Sequence, residues 1–377
     1  MLLYGKKMKI LPLTLFTLIM PFSVFAGEWE FDASGSTKAL YGYTDVSKRF
    51  EKQNDNNHGI GYGEINLSAN YISDSEKYSL GIYADIMGGI DRELKDYNQG
   101  SWGEEVYGIL DTPYGQLMLG QTFNVASQFH QGAPAIGALK SGNDVVDFIV
   151  NPNWKRNSHQ TKFATLNATY INTDGVAPKI SYITPEVYGT AVGFSFVPDS
   201  YNRRGLINKH APYANQEGYI ASLYSTQEFY GFNVSASLGF ARFQNIDNEF
   251  SASLLFEYGN WSLGGGWRKT YIDGEDRKHS SSHYLPYMFD TYREGYAWDI
   301  GAGYKFGPYQ ASLSYFESKS EHYSNQDKIW IFSNQYQVNR YVDLYFAVAH
   351  VDFEGYNSDV DNNNQGWAFV TGFGLNF

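Results

Sequence analysis

The sequence predicts an all-β fold, a sixteen-stranded antiparallel up-and-down β-barrel that crosses a membrane. Three observations predict it. Large apolar side chains alternate with small or polar ones in sixteen segments, the period of a strand rather than a helix. The gaps between these segments alternate long and short. The last segment, Gly366 to Phe377, sets Trp367, Phe369, Phe373, Leu375 and Phe377 on one face and Ala368, Val370, Gly372, Gly374 and Asn376 on the other. A soluble sandwich would hide that oily face in its core, whereas a membrane barrel would turn it to lipid.

Lys6, Lys7 and Lys9 precede an apolar run ending in Val24, Phe25 and Ala26, a small-x-small cleavage pattern. Residues 1–26 are therefore predicted to be a secretory signal peptide, with Met8 an alternative start, and residues 27–377 a single barrel domain. The leader holds three lysines and no acid, so its removal takes the formal charge from −12 to −15 and argues against nucleic acid as a partner. Cysteine is absent, which excludes disulfide frameworks, thiolate metal sites and cysteine nucleophiles. Past the leader no apolar stretch is long enough to cross a bilayer as a helix. The 32 Tyr, 26 Phe, 8 Trp and 38 Gly suit aromatic-rich strands with small residues on a crowded or wet side.

The strands are placed near 28–43, 58–71, 78–87, 103–110, 116–123, 179–184, 190–197, 217–225, 232–243, 249–258, 261–271, 295–306, 309–317, 327–338, 341–351 and 366–377. In the ninth, Phe232, Val234, Ala236, Leu238 and Phe240 alternate with Asn233, Ser235, Ser237 and Gly239. Even-numbered gaps shorten to two residues, while the third of the odd-numbered gaps runs from Asn124 to Pro178. Tight turns at one end and longer loops at the other are what a closed membrane barrel needs, because only closure satisfies every backbone group in lipid. Tyr71, Tyr78, Trp261, Tyr271, Tyr304 and Tyr309 lie near strand ends and are expected in interfacial girdles. Residues 161–171 also alternate weakly and would add a strand to the count.

Three stretches resemble the trimeric general porins of Gram-negative outer membranes: LYGYTD (Leu40 to Asp45), YGQLMLGQTF (Tyr114 to Phe123) and APKISYITPEVYG (Ala177 to Gly189). The resemblance covers the mature chain. It implies location in the cell outer membrane among lipid and lipopolysaccharide, a homotrimer with a water-filled pore in each monomer, and residues 124–178 as a third loop folded into the lumen. It also implies that Phe369, Phe373, Leu375 and the terminal Phe377 form a barrel-insertion signal.

Within the long loop, NDVVDFIV offers Asp144 and Asp147 as constriction acids, with Val145, Val146, Phe148, Ile149 and Val150 to grip the wall. The positions that the resemblance places opposite hold Tyr43, Met118 and Gln121, so the basic residues common there are depleted. Further lumen charges are expected from Lys179, Arg268 and Lys305 against Glu64, Asp85, Glu257 and Asp299. Carboxylates in a narrow pore favour cations; in a wide one they are screened and the pore sieves by size.

Other chemistry fares worse. His279 and His283 lack a third ligand for zinc, and the segment from Asn357 to Gly366 lacks the Gly and closing Glu of a calcium loop. The glycines from Gly59 and from Gly264 do not match phosphate-loop spacing, and no G-x-S-x-G elbow occurs. No cofactor, metal or catalytic residue is expected. The predicted function is passive diffusion of small hydrophilic solutes and ions with a mild cation preference. The alternatives are a substrate-selective porin, in which Tyr43 would begin an aromatic slide, and a plugged structural or adhesive barrel.

Overall fold

The computed structural model describes residues 27–50, 57–73, 77–90, 105–140, 142–153, 165–200, 217–243, 248–271, 294–321, 324–355, 358, 360 and 362–377. The predicted leader and the His279/His283 pair lie outside them. Among the described residues no helix is long and apolar enough to cross a membrane.

All sixteen predicted strands are present: β1 (Gly27–Val46), β2 (Asn57–Ser73), β3 (Ser79–Ile90), β4 (Glu105–Thr112), β5 (Gly115–Gln121), β6 (Pro178–Ile183), β7 (Thr190–Val197), β8 (Gly218–Phe229), β9 (Phe232–Phe243), β10 (Asn248–Tyr258), β11 (Trp261–Tyr271), β12 (Gly295–Phe306), β13 (Tyr309–Ser320), β14 (Gln326–Asn339), β15 (Val342–Glu354) and β16 (Asn364–Asn376). Each pairs antiparallel with its neighbour in sequence, and β1 pairs with β16 to close the barrel. At the seam Gly35 and Phe377 exchange both backbone hydrogen bonds, at 3.1 and 3.0 Å, so the terminal residue completes the ladder.

Strand ends depart from expectation where turns tighten. β8 continues to Phe229, leaving Tyr230 and Gly231 as a two-residue turn with φ of 50° and 81°. Both central residues of a type I′ turn need positive φ, and that turn suits the twist of paired strands. Residues 165–171 form no strand: Thr165 and Thr169 donate to the wall side chains Asp327 and Asp299, and Ile171 O accepts from Asn124 of the outgoing limb.

The outward phase is apolar. Along β16, Trp367, Phe369, Phe373 and Leu375 are exposed, while Ala368 and Val370 are buried. Aromatic contacts on the outer surface form two rungs. Phe232–Tyr258, Trp261–Tyr304 and Tyr309–Tyr336 mark the short-turn end, with centroids 4.3 to 4.6 Å apart. Trp298–Tyr315, Tyr315–Trp330 and His350–Trp367 mark the other. From Trp261 to Trp267 the strand climbs roughly 20 Å, at about 3.3 Å per residue, which matches an apolar band between two interfaces.

The buried core lies between the inner wall and the segment joining β5 to β6. Val145, Phe148 and Ile149 are fully buried against Leu40, Ile60, Ala347 and Val370 of the wall. Each such burial contributes about 1.5–3 kcal/mol. A Cβ at Gly42 would collide with the Phe148 ring, so glycine is what allows the loop to approach β1.

Candidate functional site: the long loop against the inner wall

The segment from Asn124 to Ala177 begins with α1 (Val125–Phe129) and passes through α2 (Gly142–Val146) before it turns back. Asn124 caps α1 by accepting from the Ser127 amide at 2.9 Å. The same side chain donates to Ile171 O at 2.9 Å and Asp174 Oδ1 at 2.6 Å, which ties the outgoing limb to the returning one.

A segment outside the sheet has no ladder to satisfy its amides, so the wall it packs on must supply acceptors. Serines do so. Ser195, Ser253, Ser312 and Ser333 accept from the amides of Val125, Gln131, Ile136 and Leu139 in turn, carrying the loop past β7, β10, β13 and β14. Ser195→Ala is expected to leave the fully buried Val125 amide unpaired and to lower unfolding stability by about 1–3 kcal/mol, measured by denaturation in detergent micelles.

Charged side chains hold the rest. Lys179 Nζ lies 3.1 Å from Asp174 Oδ2, both side chains fully buried, and donates to the carbonyls of Thr122 and Gly175. Arg268 pairs with Glu249 at 2.7 Å and donates to Asn172 Oδ1 at 2.6 Å and Thr173 Oγ1 at 3.0 Å. Asp299 accepts from the amides of Ala133 and Gly266 and from Thr169 Oγ1. At the far end Asp327 accepts from Thr165 Oγ1 and Asn153 Nδ2. A closed sixteen-strand barrel thus carries a long segment bonded along its non-lipid face.

A family model described as "Gram-negative porin" matches residues 17–356. The chain belongs to the Gram-negative porin family. It is an outer-membrane channel protein by that membership and by its fold. Solved structures similar to this porin include the anion-selective porin from Comamonas acidovorans, at TM-score 0.57 and 13% identity over 93% of this chain and 100% of that one. OmpT of Vibrio cholerae in its trimer form scores 0.58 at 12% identity, over 93% and 99%. A Rh. blastica porin mutant scores 0.52 at 9% identity, over 92% and 100%. No curated protein matches.

Several residues expected to line the constriction of this porin stand elsewhere. Tyr43 is on the outward phase, exposed, with its ring 6.4 Å from that of Phe369. Gln121 is registered opposite Val106 and Pro178 at the end of β5 and is buried, at 7% exposure, so it does not face open water. Met118 is inward but buried beneath α1 in a cluster with Val125 and Ala126. Lys179, Arg268 and Asp299 are covered by the loop, so they anchor it rather than face open water. Glu257 and Lys305 are exposed within two residues of the turns at Gly259 and Gly307, away from the loop.

Asp144 and Asp147 sit on and just after α2, and Asp144 accepts from the Lys140 amide at 2.5 Å. The wall nearby holds residues that motif-led reasoning missed. Lys38 Nζ lies 5.6 Å from the Tyr62 ring and 5.5 Å from the Tyr345 ring, within electrostatic reach of Asp144, Glu64, Asp343 and Lys140. Its signal was alternation alone, since it shares the inward phase of Leu40 and Gly42. Farther round, Asp85 couples to Glu64 and Glu105, like charges, beside Tyr83 and Tyr107 stacked 5.3 Å apart.

Proposed function

We propose that this porin is a passive diffusion channel for small hydrophilic solutes and ions, constricted by the loop and mildly selective for cations. One observation carries the selectivity. Among the described inward residues of β2 to β4 there are carboxylates at Glu64, Asp85 and Glu105 and no lysine or arginine, and the β1 lysine Lys38 is shared between Glu64 and the loop acid Asp144. Fixed negative charge left uncompensated in a lumen draws cations. The anion selectivity of the Comamonas porin does not transfer at 13% identity.

The homotrimer rests on strand length. β4, β5, β6 and β7 have 8, 7, 6 and 8 residues, fewer than the roughly 9–11 a membrane-crossing strand requires. Their outward side chains Val106, Leu110, Leu119, Ile180 and Phe194 are exposed and apolar, a face suited to a second copy of the chain. The rest of the wall would meet lipid, with Lys269–Glu321 and Lys328–Glu354 at the level of lipopolysaccharide headgroups. Residues 1–26 serve as the export leader and 27–377 as the single barrel domain, and Phe369, Phe373, Leu375 and Phe377 act as the insertion signal. No catalytic role and no cofactor are proposed.

Single-channel recording in a planar bilayer tests this. Conductance steps arriving in threes, with a cation-sided reversal potential under a salt gradient, are expected. An anion-sided value would overturn the selectivity, and folded barrels without conductance would point to the plugged structural alternative.

A further inference from the structure

The lipid-facing surface of β8 to β12 is not level: it carries a groove of about 740 Å³. Leu254 on β10 is registered opposite Ala236 of β9 and Gly265 of β11, and Ala252 stands two residues along its own strand. The outward surface therefore dips on three sides of one leucine. Leu238, Leu263 and Ile300 form the raised border and are each more than half exposed, so the groove is open to an occupant from the bilayer. A Cβ at Gly265 would lie 2.5 Å from the Asp299 carbonyl oxygen, so the close approach of β12 keeps that side of the dip empty.

The polar residues that border the groove turn their side chains elsewhere. Asp299, the one charged residue among them, directs its carboxylate to the loop, where it accepts from the Ala133 and Gly266 amides. Ser237 and Ser253 bond each other at 2.7 Å on the inner face, and Ser225 at the β8 edge is held by Thr190 Oγ1 at 3.0 Å. From Leu263 to Trp267 the groove runs about 13 Å at roughly 3.3 Å per residue. That is close to the hydrocarbon depth of one leaflet, about 15 Å.

Its long-loop end is closed by Trp267 and Trp298, registered opposite each other. One row beyond, register sets Lys269, Tyr296 and Lys319 side by side on the outward phase of β11, β12 and β13. The two lysines stand two strand spacings apart, roughly 10 Å. The acids nearby are engaged: Glu321 by Lys269 at 3.5 Å, Glu317 by Tyr315 Oη at 2.8 Å and Gln326 Nε2 at 2.9 Å, and Glu354 by Lys328 at 3.1 Å. An ammonium offers three donors, so Lys269 keeps others for a further anion, and Lys319 is exposed.

We infer that this groove docks one acyl chain of a lipopolysaccharide molecule, with a phosphate of its lipid A head on Lys269 and Lys319. The long-loop end of an outer-membrane barrel lies in the outer leaflet, whose lipid is lipopolysaccharide. Basic side chains at headgroup level recognise the anionic head. The chain gains dispersion contacts in a dip that neighbouring lipid would fill less closely. The site lies outside the β4 to β7 face proposed for a second copy, so trimer formation leaves it open. The inference goes beyond the diffusion-channel reading and rests on the outer-membrane location alone.

The test is native mass spectrometry of the folded barrel in detergent, titrated with lipid A, dephosphorylated lipid A or phosphatidylethanolamine. Ala252→Phe fills the dip and leaves the lysines; Lys269→Gln with Lys319→Gln does the reverse; Ala236→Phe is a second fill from the other side of Leu254, should Ala252→Phe not fold. The wild type is expected to retain one lipid A per barrel, with an apparent Kd at least tenfold below that for the other two lipids. Both the fill and the lysine variant are expected to lose at least tenfold in lipid A affinity. Unchanged affinity in either, or phosphatidylethanolamine held as tightly as lipid A, would overturn the site. Conductance is expected to be the same in all variants, and its absence from the wild type would overturn the channel reading while leaving the groove.

Discussion

Arg268→Met is expected to destabilise the folded barrel by about 3–5 kcal/mol, because it strands Glu249 as an uncompensated buried charge. Glu249 is fully buried and the Arg268 side chain 2% exposed, so water cannot take the place of the guanidinium. The same change removes the donors to Asn172 and Thr173, which hold the returning limb of the loop to β11. Denaturation in detergent should show the loss of stability, and single-channel records should show noisier conductance as that limb comes away. Arg268→Met with Glu249→Leu separates the two effects. Removing both charges should restore most of the stability, since replacing a buried pair by apolar groups is often neutral, while the loop contacts stay lost. A single Arg268→Met variant as stable as the wild type would mean that the pair is not buried in the membrane-embedded protein.

The barrel was legible because lipid imposes a rule on every strand: alternate side chains must be apolar, and the other set is free. Sixteen segments obeyed it, and the closing strand from Trp367 to Phe377 did so most plainly. The interior followed no such rule. Ser195, Ser253, Arg268 and Asp299 occupy inward positions that would look the same in sequence whether they faced water or the backbone of a returning loop. Only the path of the loop decides between the two, and that path comes from contacts between residues 70 to 166 positions apart. Tyr43 and Gln121 went astray for a different reason. Tyr43 carries the motif position but alternates with the inward Gly42 and Thr44, and Gln121 does not face open water because it is buried at the end of β5. Lys38 was overlooked on the same grounds, since it lies just ahead of the Leu40 to Asp45 motif that drew attention to β1.

Glu64→Gln with Asp85→Asn is expected to move the reversal potential toward zero, and to do so more than Asp144→Asn with Asp147→Asn. The difference comes from what stands beside each pair. Asp144 lies near both Lys38 and Lys140, so neutralising the loop acids leaves two bases behind and removes charge that was already partly balanced. Among the described residues Asp85 has Glu64 and Glu105 as charged neighbours, Glu64 shares Lys38 with Asp144, and Glu105 is occupied by Thr122 Oγ1 and the Phe123 amide. A permeating cation in water about 4 Å from a carboxylate gains about 1 kcal/mol, or roughly a fivefold preference per charge. Salt screens that gain over about 10 Å at 0.1 M and about 3 Å at 1 M, so the two double variants should differ clearly in dilute salt and converge in concentrated salt. A cation preference that survives loss of the wall acids but vanishes with the loop acids would put the filter on α2. Equal shifts from both pairs would mean that the lumen field is shared, with Lys38 and Lys140 too far from the ion path to offset the loop.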